Sequence, residues 1–256
     1  MVNAMQTAPS KLQTPMLALL AAVVLGAAAL AGCVDADREQ EDSAAPEARL
    51  EVDKTSAFAG ETFTFDASGS SDSDGNVTAW RFDFGDGTTF EAETEAEAKR
   101  AEHSYDQGGE YTVTVTVFDD GEEQEGALSD TSSVTVAVNE RYPIAQQTLY
   151  AAPANASATT KFTMEFETHE GVDNFEFNVT LQSLLIAGSS EITVRVLDPS
   201  GEAIVNETVS LDAQASQDVD LEGALAEEGV HKVEIEAESG GAQATGELRV
   251  YYDEEF

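Results

Sequence analysis

Trp80-Arg81-Phe82-Asp83-Phe84-Gly85-Asp86-Gly87 alternates apolar and polar residues and then runs into a turn of small and acidic ones. Period two places Trp80, Phe82 and Phe84 on one face and Arg81 and Asp83 on the other, the signature of a strand with one face in a core. Gly85-Asp86-Gly87 supplies the positive backbone angles that a tight reversal needs, so the strand ends there. Outward from this stretch, strand signals recur with turn clusters between them at Leu50–Lys54, Glu61–Asp66, Val77–Phe84, Thr88–Glu91, near His103, Glu110–Phe118 and Ser132–Val138. Short alternating strands at such spacing predict an all-β sandwich. Glu91–Glu102 mixes Glu and Ala without an apolar stripe and reads as an exposed insertion.

Three blocks stand in a fixed order: Phe65-Asp66-Ala67-Ser68-Gly69-Ser70-Ser71-Asp72-Ser73-Asp74-Gly75-Asn76-Val77, then Trp80 to Gly87, then His103-Ser104-Tyr105-Asp106 with Gly109-Glu110-Tyr111-Thr112-Val113-Thr114-Val115. Together they resemble the PKD domain over roughly residues 47 to 138. Phe82 departs from the family pattern, which usually has Trp there. The resemblance implies an immunoglobulin-like β-sandwich of cell-surface proteins, a non-catalytic module for display, spacing or binding. It also implies a structural histidine at His103, its ring bonded to neighbouring backbone at a strand start.

Alternation resumes after Thr160 at Phe162-Met164-Phe166, Phe175-Phe177-Val179-Leu181 and Ile192-Val194-Val196, then through Ala203–Val209, Val219–Leu221, Val233–Ala237 and Leu248–Tyr252. Asp198-Pro199-Ser200-Gly201 and Gly240-Gly241 are the turns. The fold class expected is therefore all-β, two tandem antiparallel sandwiches at 48–139 and 161–256, with a linker over 140–160 marked by Pro143, Pro153 and small polar residues. The second is weakly similar to pre-peptidase C-terminal domains.

Residues 1–32 read as a signal peptide, with Lys11 ahead of an uncharged run from Met16 to Gly32. Leu30-Ala31-Gly32-Cys33 resembles a lipobox, which implies cleavage before Cys33 and lipid on its sulfur. An uncleaved anchor and a cleaved, unlipidated chain are the alternatives. Cys33 is the single cysteine, so no intramolecular disulfide forms. Residues 33–47 are acidic and poor in large apolar side chains, the composition of a disordered tether.

The formal charge is −38, from 50 acidic against 12 basic residues, which excludes nucleic acid as a partner because phosphate is repelled at every approach. The acidity fits a surface adapted to high salt, as in a salt-loving archaeal protein. An acidic extracellular protein in ordinary salt, with divalent cations taking up charge, is the alternative.

Candidate sites are few. Asp72, Asp74 and Asp86 sit on glycine-containing bends and offer the hard oxygen ligands calcium takes, although Asp-Gly turns form without any ion. Asn76, Asn155, Asn178 and Asn206 open N-glycosylation sequons, Asn155 in the linker being the best placed and Asn178 falling in a strand. His103, His169 and His231 lack the spacing of a helical zinc site. No catalytic motif appears and no cofactor is expected; a carboxylate pair of the glycosidase kind is the one enzyme reading left. The expectation is a lipid-anchored surface protein that binds a surface protein or glycan or acts as a spacer. The alternative is a substrate-capturing accessory protein for a transporter or secreted hydrolase. An exposed cluster of Tyr142, Tyr150, Tyr251 or Tyr252 favours sugar capture, and a uniformly acidic surface favours the spacer.

Overall fold

The structure, a computed structural model, describes residues 44–92, 99–120, 128–151 and 160–252. The expected strands are present. They are β1 (Glu51–Val52), β2 (Ser56–Phe58), β3 (Thr62–Asp66), β4 (Ala79–Asp83), β5 (Thr89–Ala92), β6 (Arg100–Ser104), β7 (Gly109–Phe118) and β8 (Ser129–Tyr150), followed by β9 (Lys161–Thr168), β10 (Asn174–Ser183), β11 (Ser189–Leu197), β12 (Ala203–Asp212), β13 (Ser216–Ala224), β14 (Gly229–Ser239) and β15 (Gly241–Tyr251).

In the first sandwich the sheet β1-β3-β6 faces the strands β5-β4-β7 and the first half of β8, with β2 added in parallel to β8. Alternation sets the core: Trp80, Phe82 and Phe84 meet Phe63, Phe65 and Ala101 from the opposite sheet, while Arg81 and Asp83 are exposed. Fully burying a Phe or Val of this kind contributes about 1.5–3 kcal/mol. The turn after β4 is built as its residues require, with Gly85 at φ 80° and Gly87 at φ 87°. A Cβ on Gly85 would come within 2.7 Å of the Thr112 carbonyl oxygen, whereas Gly87 has open space. Gly87→Ala is thus expected to cost only the left-handed backbone penalty of about 1–2 kcal/mol. Gly85→Ala adds a clash with backbone and should lower the denaturation midpoint further.

The second sandwich packs the sheet β13-β10-β15-β8 onto the sheet β12-β11-β14-β9. Phe175, Phe177 and Leu181 from one side interdigitate with Ile192, Val194, Val233 and Ile235 from the other.

The two sandwiches share a strand. β8 is one 22-residue strand: Ser129–Val138 pairs with β7, and Glu140–Tyr150 pairs with β15. The linker expected over 140–160 is therefore strand as far as Tyr150, and residues 152–159 lie outside the described residues. Pro143 had suggested a break. Among the described residues this half of β8 has β15 as its pairing partner and is an edge of the sheet, where proline is tolerated.

The expected tether over 33–47 also ends early. Ala44 N–H donates to Asp74 Oδ2 (2.8 Å), and Glu47 bridges Ser71. These contacts lie where β4 begins and β7 ends, since Ala79 pairs with Phe118. The chain thus joins the first sandwich at the end away from Gly109 and Val138, about 30 Å along β7 at the usual rise.

Candidate functional site: the junction and the β4–β5 turn

Where β8 leaves one sandwich for the other stands Asn139, a polar residue only 5% exposed. A buried amide must be satisfied, and this one is satisfied from both sides. Its Nδ2 donates to Ser56 Oγ (3.0 Å), and its Oδ1 accepts from the backbone N–H of Tyr252 (2.9 Å). Its carbonyl oxygen takes the N–H of Ala59 (2.8 Å). Ser56 and Ala59 belong to the first sandwich and Tyr252 follows the last strand of the second, so one residue bonds the two together. Glu140 continues the seam: Oε1 accepts from Gly108 N–H (2.8 Å) and Oε2 from the Tyr142 hydroxyl (2.6 Å). Gly108 leaves no room for a side chain, because a Cβ would lie 2.5 Å from the Tyr252 ring and 2.6 Å from Glu140. Burial first, and then nearby carboxylates, raise the phenols of Tyr142 and Tyr252 above their ordinary value.

Beside the seam lies an open groove of about 550 Å³ lined by Phe58, Glu61, Asp106, Glu140, Arg141 and Tyr142 among others. The Arg141 guanidinium sits 3.6 Å above the Phe58 ring, whose other neighbour is Tyr251 at 6.1 Å. Glu140 spends both carboxylate oxygens on bonds within the seam, so it is a structural acceptor and not a free base. The four tyrosines do not gather into one exposed cluster: Tyr252 is fully buried, Tyr142 and Tyr251 are half-buried with hydroxyls donated to Glu140 Oε2 (2.6 Å) and Glu176 Oε2 (2.8 Å), and the half-buried Tyr150 stands at the other end of the β8–β15 pair.

At the β4–β5 turn His103 corrects its expected role. Its Nε2–H donates to Asp86 Oδ2 (2.7 Å), a side chain and not backbone, and its ring stacks 4.1 Å from Phe84. The reversal after Phe84 brings the Asp86 carboxylate to the His103 ring on β6. Thr88 Oγ1 donates to Asp86 Oδ1 (2.6 Å), so hydroxyl and imidazole are both directed at one carboxylate. A catalytic triad places the imidazole between the acid and the nucleophile; here the hydroxyl and the imidazole both donate to the carboxylate, with Thr88 Oγ1 3.4 Å from His103 Nε2. Tyr105 closes the corner by donating its hydroxyl to the Phe84 carbonyl (2.8 Å).

Asp86 is thus committed to Thr88 and His103, apart from Asp72 and Asp74, which shape the loop before β4. Asp72 Oδ1 accepts from Asp74 N–H (3.2 Å), and Asp120 accepts from the backbone and side-chain nitrogens of Asn76 (3.3 Å each). Among the described residues no three His, Cys, Asp or Glu side chains are grouped to hold a metal ion. Of the sequons, Asn76 and Asn206 are exposed, while Asn178 lies in β10 with its amide bonded to Asp220 (2.8 Å). Cys33 and Asn155 lie outside the described residues.

Hydrogen-bonded aspartates give the protein an acid sensitivity. Asp66, Asp120, Asp130 and Asp198 are held below the ordinary value of 3.8, chiefly by hydrogen bonds from Ser68, Asn76, Ala48 and Ser200 respectively. At Asp86 burial pushes upward, but bonds from Thr88 and His103 outweigh it and the net shift is also down. The unfolded chain therefore binds more protons than the native one at low pH. Their stabilisation is complete above the ordinary carboxylate value and is lost as pH falls through the lowered ones. Thermal melts should shift downward on acidification below about pH 4.

Residues 43–136 match the family described as the PKD domain. The first sandwich is thus a PKD domain of immunoglobulin-like fold. Among solved structures, the PKD1 domain from Vibrio cholerae metalloprotease PrtV is 36% identical, covering 37% of this chain and 98% of that one, with a TM-score of 0.29. The PKD1 domain of Vibrio anguillarum Epp is 28% identical over 38% of this chain and 96% of that one, with a TM-score of 0.30. A structure described as a promiscuous carbohydrate-binding module of the β-sandwich superfamily is 13% identical, covers 80% and 97%, and has a TM-score of 0.36. No curated protein sequence matches. The PKD match stops inside β8, so the strand that completes the PKD domain continues past it as a strand of the next sandwich. The sequence alone did not single out Asn139; the one signal available was the change from Val134-Thr135-Val136-Ala137-Val138 to the polar run Asn139-Glu140-Arg141.

Proposed function

We propose that this protein is a lipid-anchored spacer on the outer face of the cell membrane, in which the PKD domain carries the second sandwich outward for contact with a surface protein or glycan, without catalysis. The observation that carries this reading is β8, a single strand built into both sandwiches. A shared strand removes the hinge that a loop would give and favours a fixed separation over capture by closure. The chain joins the PKD domain at its end away from the junction, so an anchor ahead of Ala44 pulls along the line of the strand. Cys33 is the lipid attachment point in this account, and the exposed Asn76 and Asn206 are the glycan sites best presented among the described residues. The reading needs no calcium: Asp72 and Asp74 each accept one backbone N–H that shapes the loop before β4.

Mass spectrometry of the mature N-terminus tests the anchor. The expected product begins at Cys33 with a lipid mass on it; residues 1–32 retained, or a bare thiol at Cys33, would contradict it. Hydrolysis of any polysaccharide by the purified protein would contradict the absence of catalysis.

A further inference from the structure

Arg141 departs from what the other arginines do. Among the described residues Arg49, Arg81, Arg100, Arg195 and Arg249 each hold a carboxylate oxygen within 2.9 Å. The nearest to Arg141 is Glu61 Oε1 at 4.0 Å, beyond hydrogen-bond reach, in a chain where acids outnumber bases 50 to 12. Glu61 does not close on Lys54 either, whose Nζ stands 3.8 Å from its Oε2. The pairing of β8 with β15 sharpens the contrast, because Arg141 lies directly opposite Arg249 and so shares a face of the sheet with it. Like charges placed this way repel, and an acid at position 141 would have attracted instead. The guanidinium is nevertheless held in one place, 3.6 Å from the centre of the Phe58 ring. Contact with a ring uses none of its five N–H donors.

Arg141 lines the groove beside the seam, whose volume of about 550 Å³ falls in the range of small-ligand sites, roughly 300–1,000 Å³. The acids of that groove divide in two. Glu140 is committed to Gly108 and Tyr142, whereas Glu61 and Asp106 are exposed and can accept from a guest's donors. A guest must therefore bring one carboxylate for Arg141 and hydroxyl donors for its neighbours. A uronic acid ring carries both, one carboxylate with hydroxyls beside it. An acidic peptide sets carboxylates at successive residues, against Glu61 and Asp106 as well as toward Arg141. A neutral sugar leaves the guanidinium as unpaired as before. We propose that the junction groove binds a uronic acid unit of a surface glycan, its carboxylate forked on Arg141 and its hydroxyls on Glu61 and Asp106. A carboxylate takes two parallel N–H bonds from a guanidinium, which fixes orientation as well as adding affinity. High salt screens the long-range repulsion between an acidic protein and an acidic glycan, while bonds made inside the groove are screened much less. Recognition of this kind needs no aromatic platform. Glu61 and Asp106 come from the first sandwich and Arg141 from the second half of β8, so the guest meets both sides of the seam.

This rests on the glycan contact in the proposed function and names the class of sugar. Titration of the full chain, in non-ionic detergent and molar potassium chloride, with trigalacturonate, maltotriose and triglutamate tests it, read by backbone amide shifts in NMR. Trigalacturonate is expected to move the amides of Gly60, Asp106 and Arg141 and to bind more tightly than either other probe. Arg141→Gln should weaken it by about tenfold or more, the loss of a charged hydrogen-bonding partner, without lowering the melting temperature, since the charge opposing Arg249 is gone. Arg141→Lys should weaken it too, because an ammonium keeps the charge but not the fork. Arg81→Gln on the PKD domain should change nothing. No shift at the groove with trigalacturonate, or equal affinity in either Arg141 variant, would overturn the proposal. So would maltotriose binding as tightly, or triglutamate binding more tightly, which would assign the groove to an acidic peptide. The mass of the mature N-terminus is independent of these results, so the anchored spacer and the sugar site fail separately.

Discussion

Trp80→Ala is expected to destabilise the protein by about 3–5 kcal/mol, the range for deleting a large aromatic from a packed core. Trp80 is 2% exposed, lies between Ala92 of β5 and Val117 of β7, and has the Lys99 ammonium 5.5 Å from its ring centroid. With total stabilities of about 5–15 kcal/mol for a typical domain, such a loss is enough to unfold the PKD domain in part of the population. Trp80→Phe should behave very differently, costing about 1 kcal/mol or less. The indole Nε1 is buried without a hydrogen-bond partner among the described residues, so phenylalanine gives up some area and also removes an unsatisfied donor. Guanidinium melts separate the cases: a large drop in midpoint for alanine and a small one for phenylalanine, with unchanged slope in the latter.

Asn139→Leu comes next in size and is more informative. It keeps the bulk but leaves the buried backbone N–H of Tyr252 without its acceptor, an expected loss of about 2–3 kcal/mol. Ser56, the other partner, is exposed and can turn to water, so Ser56→Ala should cost about 1 kcal/mol or less. Because Asn139 bonds both sandwiches, its loss should also split the melt. Wild type is expected to unfold in one transition and Asn139→Leu in two, read by calorimetry. A single sharp transition at an unchanged temperature in the variant would show that the amide does not couple them.

What was legible in the sequence was whatever depends on near neighbours. The faces of Trp80 and Phe82, the reversal at Gly85 and Gly87, and the PKD resemblance need only alternation and turn chemistry, and the structure places them accordingly. β2 escaped because three residues in parallel with a distant strand show no period. His103 escaped for a related reason: its carboxylate partner lies 17 residues away, across a turn whose geometry decides the contact. Asn139 and Tyr252 are 113 residues apart, and no local pattern joins them. The linker over 140–160 was misjudged because Pro143 and small residues look alike in a loop and in an edge strand.

The shared strand fixes the sandwiches as one body, and residual dipolar couplings in a weakly aligning medium test that most directly. Amides of Glu51–Phe118 and of Lys161–Tyr251, taken from the strands of each sandwich, should fit a single alignment tensor in the relative orientation of the structure. Two tensors of different magnitude or axis, one for each sandwich, would mean that β8 bends or breaks near Asn139 and that the spacer account is wrong.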